Sequence, residues 1–281
     1  MLMSRGKRRF LTIATYVILV GFSTYCLFPF LWMVVTSLKP TDLIRSTNPS
    51  FWVPHPTFEH YDNVLTRSSF LTFFKNSMVI SVTVTLAALL VSIFAGYTLS
   101  RFMRFHGIKA VSFAMLLSQM IPGVLLLIPL YLTMKNLHLL NTSWSLILAY
   151  TTFTVPLCTF MMKSFFDSVP LEMEESAEID GCSRTGIIFR ILMPVSLPSL
   201  VSTSLFAFLN AWNEFLFGFV FINDEAKRTL TPGISLFRGQ FQTDWGSLMS
   251  ASVLCVIPVV LIFVFLQRFL IEGMTAGAVK G

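Results

Sequence analysis

The chain has 281 residues, 54% of them hydrophobic and only 12% charged. Soluble domains run to about 45–50% apolar and about 25% charged residues, so an ordinary soluble fold is excluded and a polytopic membrane protein is indicated. The net charge of +6 does not point to nucleic acid, because the basic residues lie at the ends of apolar runs and not in a stripe with interleaved aromatics; there they act as topology signals and contacts for anionic lipid.

A membrane-spanning helix needs about 20 mostly apolar residues, and six such runs follow one another. The first, Leu11 to Leu38, comes after a basic start (MLMSRGKRRF) and is ended by Ser37, Lys39 and Pro40. It is longer than the apolar core of a signal peptide, about 7–15 residues, and no small-x-small cleavage site follows it. A polar stretch rich in Pro, Ser, Thr and Asn, 40–74, reads as an extracytoplasmic loop. The second span is 76–99, followed by the tight basic loop RFMRFHGIK. The third is 110–133, broken by Pro122, Gly123 and Pro129. The fourth is 144–166, with Pro156 inside it. An acidic segment separates it from the fifth, 196–222. A polar loop, 223–246, precedes the sixth, 247–266, and a tail, 267–281, closes the chain. The expectation is an all-α, single transmembrane domain over 1–281. With the N-terminus inside, 12 Lys and Arg residues fall on the cytoplasmic side against 8 outside, which places both termini in the cytoplasm.

Two further features bound the chemistry. Cys26, Cys158, Cys182 and Cys255 form no C-x-x-C pair and three lie in apolar runs, so they read as small buried hydrophobes rather than a disulfide or zinc framework. The four histidines are scattered without metal-ligand spacing. Prolines recur within the spans at Pro29, Pro122, Pro129, Pro156 and Pro258. They are compatible with kinked packing or with a bundle that bends during transport.

The segment EMEESAEIDG, Glu172 to Gly181, gathers five of the chain's 14 acidic residues. Ser168 is placed to cap a helix and Pro170 to open it. Glu172, Glu174 and Glu175 fall near the positive end of its dipole. Leu171, Glu175 and Ile179, with neighbouring Glu172, share one side. Gly181 suits the left-handed residue past a helix end, and Ser183 is a cap for a second, half-apolar helix stopped by Pro194 and Pro198. The segment 168–195 is therefore a short surface helix, a glycine corner and a return to the membrane. Physics alone leaves open whether this elbow docks a partner or is a solvated loop.

Glu175-Ser176-Ala177, three residues, Gly181, nine residues, then Ile191-Leu192-Met193-Pro194 resembles the E-A-A-x3-G-x9-I-x-L-P signature of the permease subunits of ABC importers. Ser176 and Met193 depart from it conservatively. WNEFLFGFVF (Trp212–Phe221), the stretch Arg228–Val253 and the C-terminal GMTAGAVKG are similar to the binding-protein-dependent sugar permeases of the maltose-permease type, smaller partner. The resemblance implies a coupling helix seated in a separate ATPase subunit. Glu175 would pair with a base or backbone donor there, a small Ala177 would allow close approach, and Gly181 would make the corner. Glu172, Ser176, Ile179, Asp180, Ser183, Arg184 and Pro194 belong to the same docking set. The tail, with Val279, Lys280 and Gly281, would also reach the ATPase dimer. Arg228, Arg238, Gln240 and Trp245 would face an extracellular solute-binding protein.

No G-x-x-x-x-G-K-[ST] loop for cradling phosphates is present. ATP and Mg would therefore be held by the partner ATPase, with no cofactor and no enzymatic role in this chain. The other implied partners are a second, homologous permease, a sugar and the lipid bilayer of an inner membrane. For the substrate path, Asn210, Asn213 and Glu214 sit in the outer half of the fifth span. Their amides and carboxylate suit sugar hydroxyls, and Trp212 suits a pyranose face; Gln119 lies beside the Pro122 kink. The alternatives are interhelical hydrogen bonds and an interfacial aromatic belt. A polyol phosphate is a rival solute. An ion-driven secondary transporter is a rival machine, but it calls for inverted repeats and a midplane acid pair that the sequence does not display.

Overall fold

The computed structural model describes residues 5–46, 48, 50–239 and 242–278, with the side chains of 5–8, 10 and 270–278 left undescribed. In chain order its helices are α1 (Arg5–Ser37), α2 (Thr41–Ile44), α3 (Glu59–Thr66), α4 (Phe70–Arg101), α5 (His106–Met120), α6 (Leu127–Asn136) and α7 (Ser143–Ser168). They continue with α8 (Leu171–Ile179), α9 (Arg184–Ile187), α10 (Met193–Val195), α11 (Leu197–Asn213), α12 (Leu216–Phe221), α13 (Leu230–Ile234) and α14 (Trp245–Ala278). A π turn, Ile188–Leu192, joins α9 to α10. Among the described residues, extended pairing is confined to a single antiparallel bridge, Arg238 with Thr243. The fold is all-α, as expected.

Contacts divide the chain into two compact units. One comprises the residues up to Ser68 with Ile234–Val256; the other comprises Ser69–Gly233 with the residues from Ile257 onward. In the first, the Ser37 hydroxyl meets the Tyr61 hydroxyl at 2.8 Å, and buried His60 reaches the Lys39 carbonyl through Nε2 at 2.9 Å. Asp244 caps α14 by accepting the Ser247 N–H at 3.1 Å.

The second unit is built on α4, which lies against α7 and α11. Its buried face carries Ser77, Ser81, Val84, Ala88, Ser92 and Gly96 at three- and four-residue spacing. Nearly all are small, which lets helix backbones approach closely in an apolar environment. A Cβ on Gly96 would stand 2.8 Å from the Met162 Cβ and 3.0 Å from the Lys163 nitrogen. Two of the apolar clusters in this unit are the largest described. One gathers Ile80, Val84, Leu146, Tyr150, Phe217 and Phe221, the other Ile93, Tyr97, Met162, Phe166, Ile187 and Leu192.

Among the described residues, four helices are long and apolar enough to cross a membrane unbroken: Leu11–Ser37, Phe70–Arg101, Ser143–Ser168 and Trp245–Phe269. The other two expected spans are bent pairs, His106–Met120 with Gly123–Asn136 at 99°, and Arg184–Val195 with Leu197–Asn213 at 86°. The third expected span breaks at Ile121–Pro122 and not at Pro129. Pro129 lies in the first turn of α6, where its missing N–H is one of the donors a helix leaves unpaired anyway. Pro29, Pro156 and Pro258 sit inside continuous helices. The fifth expected span, 196–222, does not run through: α11 stops at Asn213 and α12 restarts at Leu216. Cys158 is buried as expected, but Cys26 is exposed on α1.

Candidate functional site

Helix α8 follows α7 after two extended residues, Val169 and Pro170. Ser168 does not cap it. Ser168 is the last residue of α7, and its hydroxyl donates to the Phe165 carbonyl at 2.7 Å, so Pro170 takes the cap position instead. At the other end the expected corner forms in full. Gly181 has φ +82°; its N–H donates to the Glu178 carbonyl at 3.0 Å, and the Cys182 N–H reaches the Ala177 carbonyl at 2.9 Å. This pair of bonds around a left-handed residue is the Schellman ending. Ser183 then caps α9, its Oγ accepting the Gly186 N–H at 3.2 Å.

The helix has two faces. Glu174 and Ala177 are buried within the subunit, whereas Leu171, Glu172, Glu175, Ser176, Glu178, Ile179 and Asp180 are exposed. Ile179 is 87% exposed. The placement of Ala177 corrects the sequence reading: it is buried in the apolar cluster that also holds this subunit's own Tyr97, Phe166 and Ile187, so it is not on the outward face. The Arg184 guanidinium lies 5.5 Å from the Phe102 ring centroid. Pro194 is exposed within α10. Glu175, Glu178, Arg101, Phe102, Arg104 and Arg184 line a recess of about 400 Å³ beside α8.

Glu174 forms the inner wall of that recess. Its Oε1 lies 2.6 Å from Arg101 Nη2, and Arg101 Nε donates to it at 2.7 Å. Tyr97 donates to Oε2 at 2.9 Å. Arg101 also donates to the Val169 carbonyl at 3.2 Å and to Ser100 Oγ at 3.0 Å. Ser100 in turn donates to Asp167, which pairs with Lys163 at 2.5 Å. The Arg101 and Glu174 side chains are only 11% and 8% exposed. Removing one partner of such a buried pair costs about 3–5 kcal/mol.

At the other end of α11 the chain opens a break. Glu214 is extended, and its carboxylate caps α12, accepting the N–H groups of Phe217 at 2.9 Å and Gly218 at 3.1 Å. The Thr231 hydroxyl donates to the Glu214 carbonyl. Glu214 is therefore a capping residue of α12. Asn210 and Asn213 are exposed and line, with Phe206, Leu209, Glu214 and Phe215, an open recess of about 630 Å³. Trp212 does not join them. It is 1% exposed and packed between Phe208, stacked at 5.5 Å, and Phe74, edge-on at 5.6 Å. An indole so enclosed presents no face to a pyranose, which corrects the sequence reading. Gln119 is exposed near the end of α5 and does not line this recess.

The expected binding-protein loop is divided. Arg228 is half-buried and donates to the Asn223 carbonyl at 3.5 Å. Its backbone is held by Asn76, whose Nδ2 donates to the Arg228 and Ala226 carbonyls at 3.0 Å each. Arg238 and Trp245 are exposed. Gln240, Val279, Lys280 and Gly281 lie outside the described residues.

The model of the family described as binding-protein-dependent transport system inner membrane component matches residues 88–276, from the middle of α4 into α14. The chain belongs to this family. It is 37% identical over 256 residues to a sulfoquinovosyl glycerol transport system permease protein of Agrobacterium fabrum, covering 91% of this chain and 89% of that one. It is 36% identical over 265 residues to a trehalose/maltose transport system permease protein of Thermococcus litoralis, covering 91% and 92%. A diacetylchitobiose uptake system permease protein of Streptomyces coelicolor is 36% identical over 254 residues. Among solved structures, a bacterial ABC transporter for import of the acidic polysaccharide alginate superposes with a TM-score of 0.81 at 21% identity, over 95% of this chain and 99% of that one. The MetNI methionine ABC transporter gives 0.55 at 18% identity, over 74% and 95%. At these identities the structural likeness speaks for the fold alone.

For a permease of this family, sequence reasoning found α8 and its corner but missed Glu174, Arg101 and Tyr97. A signal was present: Tyr97 and Arg101 are four apart at the end of an apolar run, so they share a helix face. Arg101 was counted only as a topology charge.

Proposed function

We propose that this chain is one of two permease subunits of an ATP-driven ABC importer for a carbohydrate, and that α8 is where a separate ATPase docks. The observation that carries the reading is the outward face of α8. Leu171 and Ile179 are left bare beside Glu172, Glu175 and Glu178, and exposed apolar side chains rimmed by polar ones mark interaction surfaces. Asp180, Gly181, Ser183, Arg184, Pro194 and the tail residues Val279, Lys280 and Gly281 complete the proposed docking set. The relatives' sugar substrates and the asparagine-lined recess at the α11–α12 break support the carbohydrate assignment.

In this reading both termini are cytoplasmic, 1–281 acts as one transmembrane domain, and ATP with Mg belongs to the ATPase dimer. This chain binds no cofactor and carries out no reaction itself. Arg228, Arg238, Gln240 and Trp245 are the residues proposed to meet the solute-binding protein. Closure of the ATPases draws the coupling helices together and turns the pathway outward to accept the sugar.

The test is gentle extraction with an N-terminal tag, mass spectrometry of what accompanies the chain, and a carbohydrate screen of the recovered binding protein. An ATPase, a second permease and a retained sugar are the expected result. A chain recovered alone, or as a homodimer, overturns the importer reading. Retention of a polyol phosphate in place of sugars overturns the carbohydrate assignment alone.

A further inference from the structure

We propose that the Arg101–Glu174 ion pair, with the Tyr97 hydroxyl, is the joint that makes α4 follow the coupling helix. The argument is one of connectivity. Helix α8 is tied covalently to α7 through Val169 and Pro170, and to α9 through the Gly181 corner. Displacing it therefore pulls directly on α7 and on the segment leading to α11. Helix α4 ends at Arg101, far upstream in the chain; it packs on α7 but has no covalent tie to α8. Its polar attachments to α8 are the bonds from Arg101 and Tyr97 to Glu174.

Three properties make these bonds a joint rather than a surface contact. Both oxygens of Glu174 are used, one by each α4 residue. The pair is nearly closed to solvent, where charge attraction is far less screened than at a surface. Arg101 also holds the Val169 carbonyl in the α7–α8 link, and Ser100 holds Asp167 on α7, so the ends of α4, α7 and α8 are fastened as one body. Glu174 is thus a positioning residue: it faces inward and acts through α4, not on the ATPase.

The inference rests on the reading of α8 as the ATPase-docking helix, and the experiment separates the two. The complete complex is reconstituted with the four cysteines of this chain and any accessible ones of its partners replaced, and spin labels placed at Thr98 on α4 and Met173 on α8, both exposed. The label distance is measured without nucleotide and with ATP and vanadate. One sharp distance common to both states is expected for the parent. Glu174→Gln should add a second distance in the ATP–vanadate state, with the population ratio altered about tenfold, within the range for residues of a coupling network. The Tyr97→Phe change should be smaller. If Glu174→Gln fails to fold and insert in the membrane, Arg101→Lys, which keeps the charge but not the fork, should give the same second distance. A distribution identical to the parent's in the assembled variant overturns the joint. So does loss of the ATPase from Glu174→Gln, which would make Glu174 a docking residue. An unchanged ATPase content in Glu175→Lys overturns the docking reading and leaves the distance result standing.

Discussion

The Cys182 N–H reaches back to the Ala177 carbonyl at 2.9 Å, across Gly181 at φ +82°. That bond turns the chain from α8 into α9 and exposes the last turn of α8. A Cβ at Gly181 would meet nothing within 4 Å, so the position demands a left-handed backbone and not space. An ordinary L-residue pays about 1–2 kcal/mol for that conformation, and asparagine pays least. Gly181→Val should therefore abolish uptake while the subunit still inserts, and Gly181→Asn should retain most of it. Equal uptake by the two variants would show that the corner's geometry is not what transport needs. Uptake in vesicles, normalised to inserted subunit, is the measurement.

A second prediction concerns helix approach. Gly96→Ala places a methyl group against the Met162 Cβ and the Lys163 and Thr159 backbones at 2.8–3.1 Å. Backbone atoms cannot swing aside, and overpacking of this kind costs about 1–3 kcal/mol. Gly21→Ala on α1 meets nothing within 4 Å, and alanine there gains about 0.5–1 kcal/mol of helix preference. Thermal unfolding of the purified complex should move down for the first variant and stay level or rise for the second.

A third prediction follows from the α11–α12 break. Glu214→Ala removes the cap of α12, a loss of about 0.5–2 kcal/mol for ordinary caps. Glu214→Gln keeps an acceptor oxygen and should lie between alanine and the parent. Thr231→Val removes the hydroxyl that holds the Glu214 carbonyl and should act in the same direction. The measurements are thermal stability and uptake; a Glu214→Gln variant no better than Glu214→Ala would contradict the capping role.

The parts of the fold read correctly from sequence are those fixed by local rules. The apolar runs gave the four unbroken spans, and the Gly181 and Ser183 spacing gave the turn from α8 to α9. Ser168 and Ala177 escaped those rules, the first through a competitor within its own helix and the second through packing within the subunit. Ser168 has the chemistry of a cap, but the Phe165 carbonyl of its own helix takes its hydroxyl. Ala177 reads as an interface alanine, yet it is buried in the apolar cluster that also holds Tyr97, Phe166 and Ile187. The break at Glu214 was hidden for another reason: no proline or glycine marks it, and a glutamate capping its successor helix is indistinguishable in sequence from one lining a path.

The last prediction separates path from packing around α11. Trp212 and Asn213 are neighbours in sequence but lie in different surroundings. Trp212 is enclosed by Phe74 and Phe208, whereas Asn213 opens onto the recess at the break. Trp212→Ala should cost about 3–5 kcal/mol of stability, as for other buried aromatics. It should reduce uptake by reducing the amount of assembled complex, with KM unchanged. Asn213→Ala touches no packed neighbour and should leave the melting temperature in place. If the recess handles sugar, Asn213→Ala should raise KM several-fold, since a lost hydrogen bond to a neutral partner is worth about 0.5–1.5 kcal/mol. Uptake kinetics and thermal stability measured on the same preparations decide it: a KM shift in Trp212→Ala together with none in Asn213→Ala would reverse the assignment of wall and core.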